Sequence, residues 1–330
     1  MYELRKDPLL GRWVAVKKES RAPSDYNIPV EDYKENSCIL CPGQESRTPP
    51  EITALRDGGS WSVRVFPNLD LVFHIEGELG RKGVGMYDKM NSIGANELII
   101  ESPYHNRRPE DIGVTQMTRV IQMYQDRITD LKRDTRIRHI LVFKNSGRSA
   151  GAIYTHPHAE IVATPVIPKR IKDELDGAMQ YYSYKERCVF CDMMKEEMKT
   201  GERVIFETRD FIAFCPFSPK FSFEFWILPK RHHCAFEEIK TSEIEDLGAM
   251  CTTVLKKIRQ VLRDPPFNYV IHTAPYRITK QNMWHTLGED YHWHIEIVPR
   301  LTGMSGFEWG SGFHILSTSP EDAAKYLREA

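Results

Sequence analysis

At 330 residues, 41% of them hydrophobic and 28% charged, the chain has the composition of an ordinary globular protein with room for two domains or one large duplicated unit. A formal net charge of −1 recruits neither nucleic acid nor an anionic membrane, and no run approaches the roughly 18 apolar residues of a membrane span. The opening MYELRKDPLLGRWVAV has no uninterrupted apolar stretch, so no signal peptide is expected and a cytoplasmic location is the default.

The first chemistry-bearing element in chain order is CILC, with Cys38 and Cys41. The seven cysteines are not spread like a disulfide framework, so a CxxC pair points to metal or redox chemistry. LIIESPYHNRRPEDI (98–112) then reads as a strand that ends in a turn at His105 and leads into an acidic helix start. Apolar residues recur at helical spacing over 114–134, and RHILVFKN (138–145) reads as a strand. The small-residue loop NSGRSAGAIYT (145–155) follows, and then THPHAEI (155–161) with His156 and His158.

The same order recurs in the second half. CVFC supplies Cys188 and Cys191, and FWILPKRHHCAFEEI (225–239) sets His232 against His105, with His233 next to it as an alternative. A helical pattern over 243–262 and a strand-like run over 267–275 lead to YHWHIEI (291–297), which carries His292 and His294. Three landmarks in one order, twice, indicate an internal duplication with a boundary near 168–187. Strands joined by short loops, with one crossing helix per half, predict an antiparallel α+β fold.

Zinc takes about four ligands in a tetrahedron, and a CxxC turn supplies two thiolates. One histidine from each later landmark completes the set. This predicts two zinc sites per chain: Cys38, Cys41, His105 and His156, then Cys188, Cys191, His232 and His292. A thioredoxin-like redox role is the weaker reading, because neither CxxC is expected to open a helix in a βαβ setting. On a strand His156 and His158 would face the same side, leaving His158 free as a neutral nucleophile beside the metal-stiffened loop. Its plainer alternative is a second metal ligand. The amides around Gly147 and Gly151 are suited to a close approach by phosphate, which a histidine attacking phosphorus requires.

With RKDPLLGRWVAV, CILCPG, FPNLDL, GANELIIESPYH, NSGRSAGAIYTHPHAEI, ILPKRHH and YHWHIEIVPRL, the chain resembles the galactose-1-phosphate uridylyltransferases of the histidine-triad superfamily. The resemblance runs nearly end to end, and GFEWGSGFHI…SPEDAAKYLR is most similar to the branch that includes ADP-glucose phosphorylase. It implies duplicated histidine-triad-like units forming an antiparallel half-barrel with flanking helices, a catalytic half at 1–170, a structural half at 171–330, and a homodimer. It implies double displacement through a nucleotidyl-His158 intermediate, with Arg21, Asn68 and Asn145 at nucleotide-holding positions and Glu308 at a sugar-binding one. His294 would then do no chemistry, since WHTLGEDY before it lacks the small-residue cradle.

Two departures limit the transfer. Glu160 stands where the family has a glutamine that donates to phosphate, so its carboxylate needs protonation or a partner such as Arg148. The family's lysine-phenylalanine contact to hexose phosphate is missing near RLTGMSGFEWG. The expected substrates are therefore a nucleotide sugar or other nucleotide donor and a sugar phosphate or phosphate acceptor. Transfer of uridylyl between hexose phosphates is the first expectation. A phosphorylase moving AMP from ADP-glucose to phosphate is the alternative, and an inactive zinc-stapled nucleotide-binding protein is a third reading.

Overall fold

The computed structural model describes residues 1–28, 38–276 and 283–330. The first half contains β1 (Tyr2–Lys6), β2 (Trp13–Lys17), β3 (Thr53–Asp57), β4 (Ser60–Pro67), the hairpin β5 (Lys82–Val84) and β6 (Tyr87–Lys89), and β7 (Ala95–Ile100). Helix α1 (Val114–Leu131), β8 (His139–Ser146) and β9 (His158–Thr164) complete it. Helices α2 (Lys169–Lys185) and α3 (Val189–Thr200) lead to β10 (Val204–Glu207), β11 (Phe211–Phe214), β12 (Phe225–Pro229), α4 (Thr241–Leu262) and β13 (Phe267–His272). The chain ends with α5 (Leu287–Asp290), β14 (His294–Pro299), α6 (Gly306–Ser311), β15 (His314–Leu316) and α7 (Pro320–Glu329).

Ten strands form one continuous sheet in the order β10-β11-β12-β14-β13-β8-β9-β7-β4-β3. All its pairings are antiparallel. From either edge inward the two halves run through the same succession, and they meet where β8 pairs with β13. The α+β fold and the duplication are as the sequence predicts. The sheet is open, and the halves share it instead of forming separate barrels.

Helix placement follows from side-chain period. On α1 the buried residues Met117, Val120, Ile121, Tyr124, Ile128 and Leu131 recur every three or four positions and face the sheet. Helix α4 packs against α1. Gly248 permits that approach, because a Cβ there would lie 2.7 Å from Thr118 Oγ1 and 3.2 Å from the Thr118 backbone nitrogen. The helical face of the sheet thus holds one shared core, to which Val142, Ile161, Ile271 and Ile295 contribute from the central strands. Among the described residues no helix is long and apolar enough to cross a membrane.

Candidate active site and metal centres

The first cysteine pair lies in a turn, where Cys41 Sγ is 3.5 Å from His105 Nδ1 and 3.6 Å from His156 Nδ1, and Cys38 Sγ is 3.9 Å from His156 Nδ1. In the second set Cys191 Sγ is 3.3 Å from His232 Nδ1 and 3.5 Å from His292 Nδ1. Tetrahedral zinc ligands at 2.0–2.3 Å from the ion stand about 3.3–3.8 Å apart, so both clusters have the spacing that a bound ion requires. The ligand atoms of each set all lie within 4.8 Å of one another. His156 Nε2 donates to Ser102 O at 2.8 Å and His232 Nε2 to Gly288 O at 3.0 Å, which turns each Nδ1 lone pair toward the cysteines. The Cys191 thiol is pulled down to about 3 by hydrogen bonds, from Cys188 foremost and then from His232 and His292, against its burial. His233 is instead occupied with Glu238 and Ala235.

Two expectations about local structure need correction. Cys188 is the N-cap of α3, so the second CxxC does open a helix, although its thiols face His232 and His292 and the setting is not βαβ. His156 is not on a strand with His158. Pro157 has no N–H to add to a ladder, β9 begins only at His158, and His156 is turned toward the cysteines by the preceding bend.

His158 is buried and borders a cavity of about 290 Å³ whose walls include Arg107, Asn145, Gly147 and Tyr154. Its Nδ1–H donates to His156 O at 2.7 Å, so the Nε2 lone pair is left for chemistry. Burial, and then the charge of Lys144, lower its imidazole to about 4, so it stays neutral near pH 7. Gly147 (φ +87) and Gly151 (φ +94) flank a single 3₁₀ turn at Arg148–Ala150, in backbone conformations that suit glycine. Asn145 accepts a hydrogen bond from Asn268 Nδ2 at 2.7 Å, so the second half braces this loop.

Glu160 finds Asn68 as its partner, with Nδ2 donating to Oε2 at 3.0 Å, and not the Arg148 considered from sequence. Burial raises its carboxyl pKa and the Asn68 hydrogen bond only partly opposes this. Asn68, just past the end of β4, thus reaches Glu160, two residues beyond His158 on β9, and the residues lining the cavity include none of Asn68, Glu160, Gly151, Arg21 and Glu308. The Arg21 guanidinium lies 4.4 Å over the Tyr26 ring and bonds to the Asp25 carbonyl. Glu308 caps α6 by accepting from Ser305 N at 2.8 Å, and it also accepts from Ile315 N.

The second motif is sealed. His294 Nδ1 donates to His292 O at 3.1 Å, repeating the lock on His158. Its ring, however, is stacked between Trp226 (5.0 Å) and His272 (4.7 Å), with Phe190 at 4.9 Å. Glu174, His272, His294 and Glu296 form a third, fully buried cluster that sequence reading did not foresee. Arg170 bonds to Glu296 and lies 3.6 Å from Glu174, which supplies the carboxylates with a counter-charge. Sequence reading also missed Lys144 and Glu101, a buried ion pair beneath the first motif. The lone lysine in the apolar run HILVFKN was its visible signal.

The family profile described as the galactose-1-phosphate uridyl transferase N-terminal domain matches residues 2–168, and its C-terminal counterpart matches 174–327. ADP-glucose phosphorylase of Arabidopsis thaliana is 35% identical over 334 residues, covering 99% of this chain and 92% of its own length. Galactose-1-phosphate uridylyltransferase of Thermotoga maritima is 28% identical, covering 100% and 98%. The crystal structure of the Arabidopsis ADP-glucose phosphorylase with bound ADP-glucose superimposes with a TM-score of 0.85 at 33% identity, covering 100% of this chain and 99% of the other. A uridylyltransferase structure gives 0.77 at 25%, covering 100% and 98%.

Proposed function

The chain belongs to the galactose-1-phosphate uridyl transferase family and is an enzyme of the nucleotidyltransferase type, and on that premise we propose that it moves an adenylyl group from ADP-glucose to phosphate. The observation that carries this choice of donor is the greater likeness to ADP-glucose phosphorylase than to the uridylyltransferases, in sequence and in fold. The sequence alone put uridylyl transfer to galactose 1-phosphate first. That reading becomes the second one, and the missing lysine-phenylalanine contact also weighs against it.

In this reading residues 1–170 do the chemistry and residues 171–330 hold the structure. His158 Nε2 attacks the α-phosphorus of ADP-glucose, the bond from that phosphorus to the bridging oxygen breaks, and glucose 1-phosphate leaves. An oxygen of inorganic phosphate then attacks the adenylyl-histidine, the P–N bond breaks, and ADP is released with neutral His158 restored. Gly147 and Gly151 let the loop amides approach the non-bridging oxygens, while Asn145, Asn68 and Glu160 line the nucleotide's path. One zinc in each cysteine-histidine set would stiffen the loop before His158 and its counterpart in the second half. Glu308 contacts sugar only if a second copy presents it. The expected homodimer is supported by the exposed Tyr2, Leu4, Trp13 and Ile315 on the small β1-β2-β15 sheet.

The test is a donor screen of ADP-glucose and UDP-glucose, each with phosphate or a hexose 1-phosphate, read by product mass. ADP-glucose with phosphate should give ADP and glucose 1-phosphate fastest. Faster turnover of UDP-glucose with galactose 1-phosphate would restore the uridylyl reading.

A further inference from the structure

Lys144 lies on β8 with its side chain buried, directly beneath the start of β9. Its ammonium donates to Glu101 Oε2 at 2.5 Å and to the His158 carbonyl at 2.8 Å. The other Glu101 oxygen accepts from the Tyr124 hydroxyl at 2.7 Å. The Glu101 amide donates to Pro157 O at 3.1 Å, and the Glu101 carbonyl accepts from Gln116 at 2.8 Å. With His156 O receiving the Nδ1–H of His158, three consecutive carbonyls of the nucleophile segment each have a fixed donor. Of these donors only the Lys144 ammonium belongs to the charged pair: it holds the His158 carbonyl from below, while the Glu101 main chain holds Pro157 O and the imidazole itself holds His156 O.

The duplication provides an internal control. Glu160 is paired across the sheet with Phe143 and Leu98, and its counterpart Glu296 with Val270 and Trp226. In that register Lys144 corresponds to Ile271, and Glu101 to Pro229. The same fold positions are apolar in the sealed half, so the architecture does not need an ion pair there. A buried pair is seldom more stabilising than apolar residues of similar volume, and its presence in the open half alone asks for a role other than stability.

We propose that Lys144, held in place by Glu101 and Tyr124, is a positioning residue for nucleotidyl transfer: it fixes the main chain of His158 so that Nε2 stays in line with the phosphorus it attacks. The proposal rests on His158 being the nucleophile of the function proposed above. It adds a residue pair below the nucleophile, of which Lys144 also borders the cavity while Glu101 does not.

The test compares the wild type with Lys144→Met and with Lys144→Met/Glu101→Gln. The single variant leaves a buried carboxylate without its cation and is expected to lose thermal stability. The double variant removes both charges and should recover most of it. The positioning role predicts that the double variant still nucleotidylates His158 more slowly by on the order of 10²-fold in a single turnover, because an error of about 1 Å in aim has that effect. Its dissociation constant for ADP-glucose should stay within about threefold, since the Lys144 ammonium, although Lys144 borders the cavity, is engaged by Glu101 and the His158 carbonyl. A double variant that labels at the wild-type rate overturns the proposal. If the wild type takes no label from ADP-glucose or UDP-glucose, the function proposed above fails. The rate at which diethyl pyrocarbonate acylates His158, followed by mass without nucleotide, then decides: slower acylation in the double variant upholds the clamp, and an equal rate overturns it.

Discussion

The two halves of this protein carry the same histidine motif with the same backbone lock and the same kind of cysteine-histidine cluster, yet among the described residues His158 borders a cavity whereas His294 is fully enclosed. Three positions account for the difference. Leu40 of the first CxxC is Phe190 in the second, Leu98 on β7 is Trp226 on β12, and Asn145 on β8 is His272 on β13. Each change puts a ring where the first half has a smaller side chain, and the three rings pack around His294. Where His158 faces a polar cavity, His294 is enclosed by rings, with the carboxylates of Glu174 and Glu296 close by. A histidine therefore becomes a nucleophile or a core residue according to what surrounds it, and the motif alone does not decide which.

The largest test of that contrast is His158→Gly against His294→Gly. The first should lose nucleotidylation by more than about 10³-fold while keeping its fold and metal content, as expected for removal of a nucleophile. The second should lose stability but keep the labelling rate per folded molecule. Mass spectrometry of the protein after exposure to donor, alongside thermal melts, reads both. Similar losses of labelling at equal folded fraction would erase the division between the halves.

The metal centres sharpen it next. Elemental analysis should find close to two zinc ions per chain, falling to one in Cys188→Ser and in Cys38→Ser. Cys188→Ser should lower stability by more than about 4 kcal/mol, as losses of structural metal do, with donor preference unchanged. Protein purified without chelators that contains neither zinc nor iron would contradict the assignment of both clusters.

Arg170→Met leaves two buried carboxylates, Glu174 and Glu296, without their guanidinium, and because Arg170 itself is 45% exposed the loss should fall below the roughly 3–5 kcal/mol of a fully buried pair. Burial pushes the Glu296 carboxyl up, but Arg170 and then His272 hold it well below 4.5. A carboxyl with a depressed folded pKa contributes stability above its unfolded pKa and loses it as pH falls toward the folded value. Wild-type stability should therefore decline below about pH 4.5, and less steeply in Arg170→Met, as urea titrations across pH would show. An unchanged acid slope would mean that the cluster is neutralised by some other group.

The smallest expected effect is at Glu160, whose counterpart Glu296 has a guanidinium partner while Glu160 has only an amide. Unit charges 4 Å apart interact by roughly 4 kcal/mol at an effective dielectric near 20, an upper bound for a carboxylate facing the transferred phosphate. With Asn68 sharing the load, Glu160→Gln should raise the single-turnover labelling rate by about threefold to tenfold, with 1.4 kcal/mol corresponding to tenfold. Because burial raises the Glu160 pKa, the gain should grow with pH as the carboxyl ionises. A slower glutamine variant would mean that Glu160 itself serves the donor.

Repetition made much of this legible in the sequence. Each CxxC, each turn histidine and each His-x-His appears twice in one order, and zinc accepts few ligand types, so residue identity and order were enough to group Cys38, Cys41, His105 and His156, and likewise the second set. Helical and strand periods placed α1, α4, β8 and β13, since burial of one face writes itself into spacing. Tertiary structure alone decided what lies between such elements. The pairing of Lys144 with Glu101, the partner of Glu160, the joining of both halves into one sheet and the cage around His294 are all contacts between residues far apart in the chain. Periodicity shows which face a side chain takes, but not which distant group meets it there. Arg21, Asn68, Gly151, Glu160 and Glu308 show the same limit from the other side: none lines the cavity of the single chain, because a matching position in sequence does not fix which residues border a cavity.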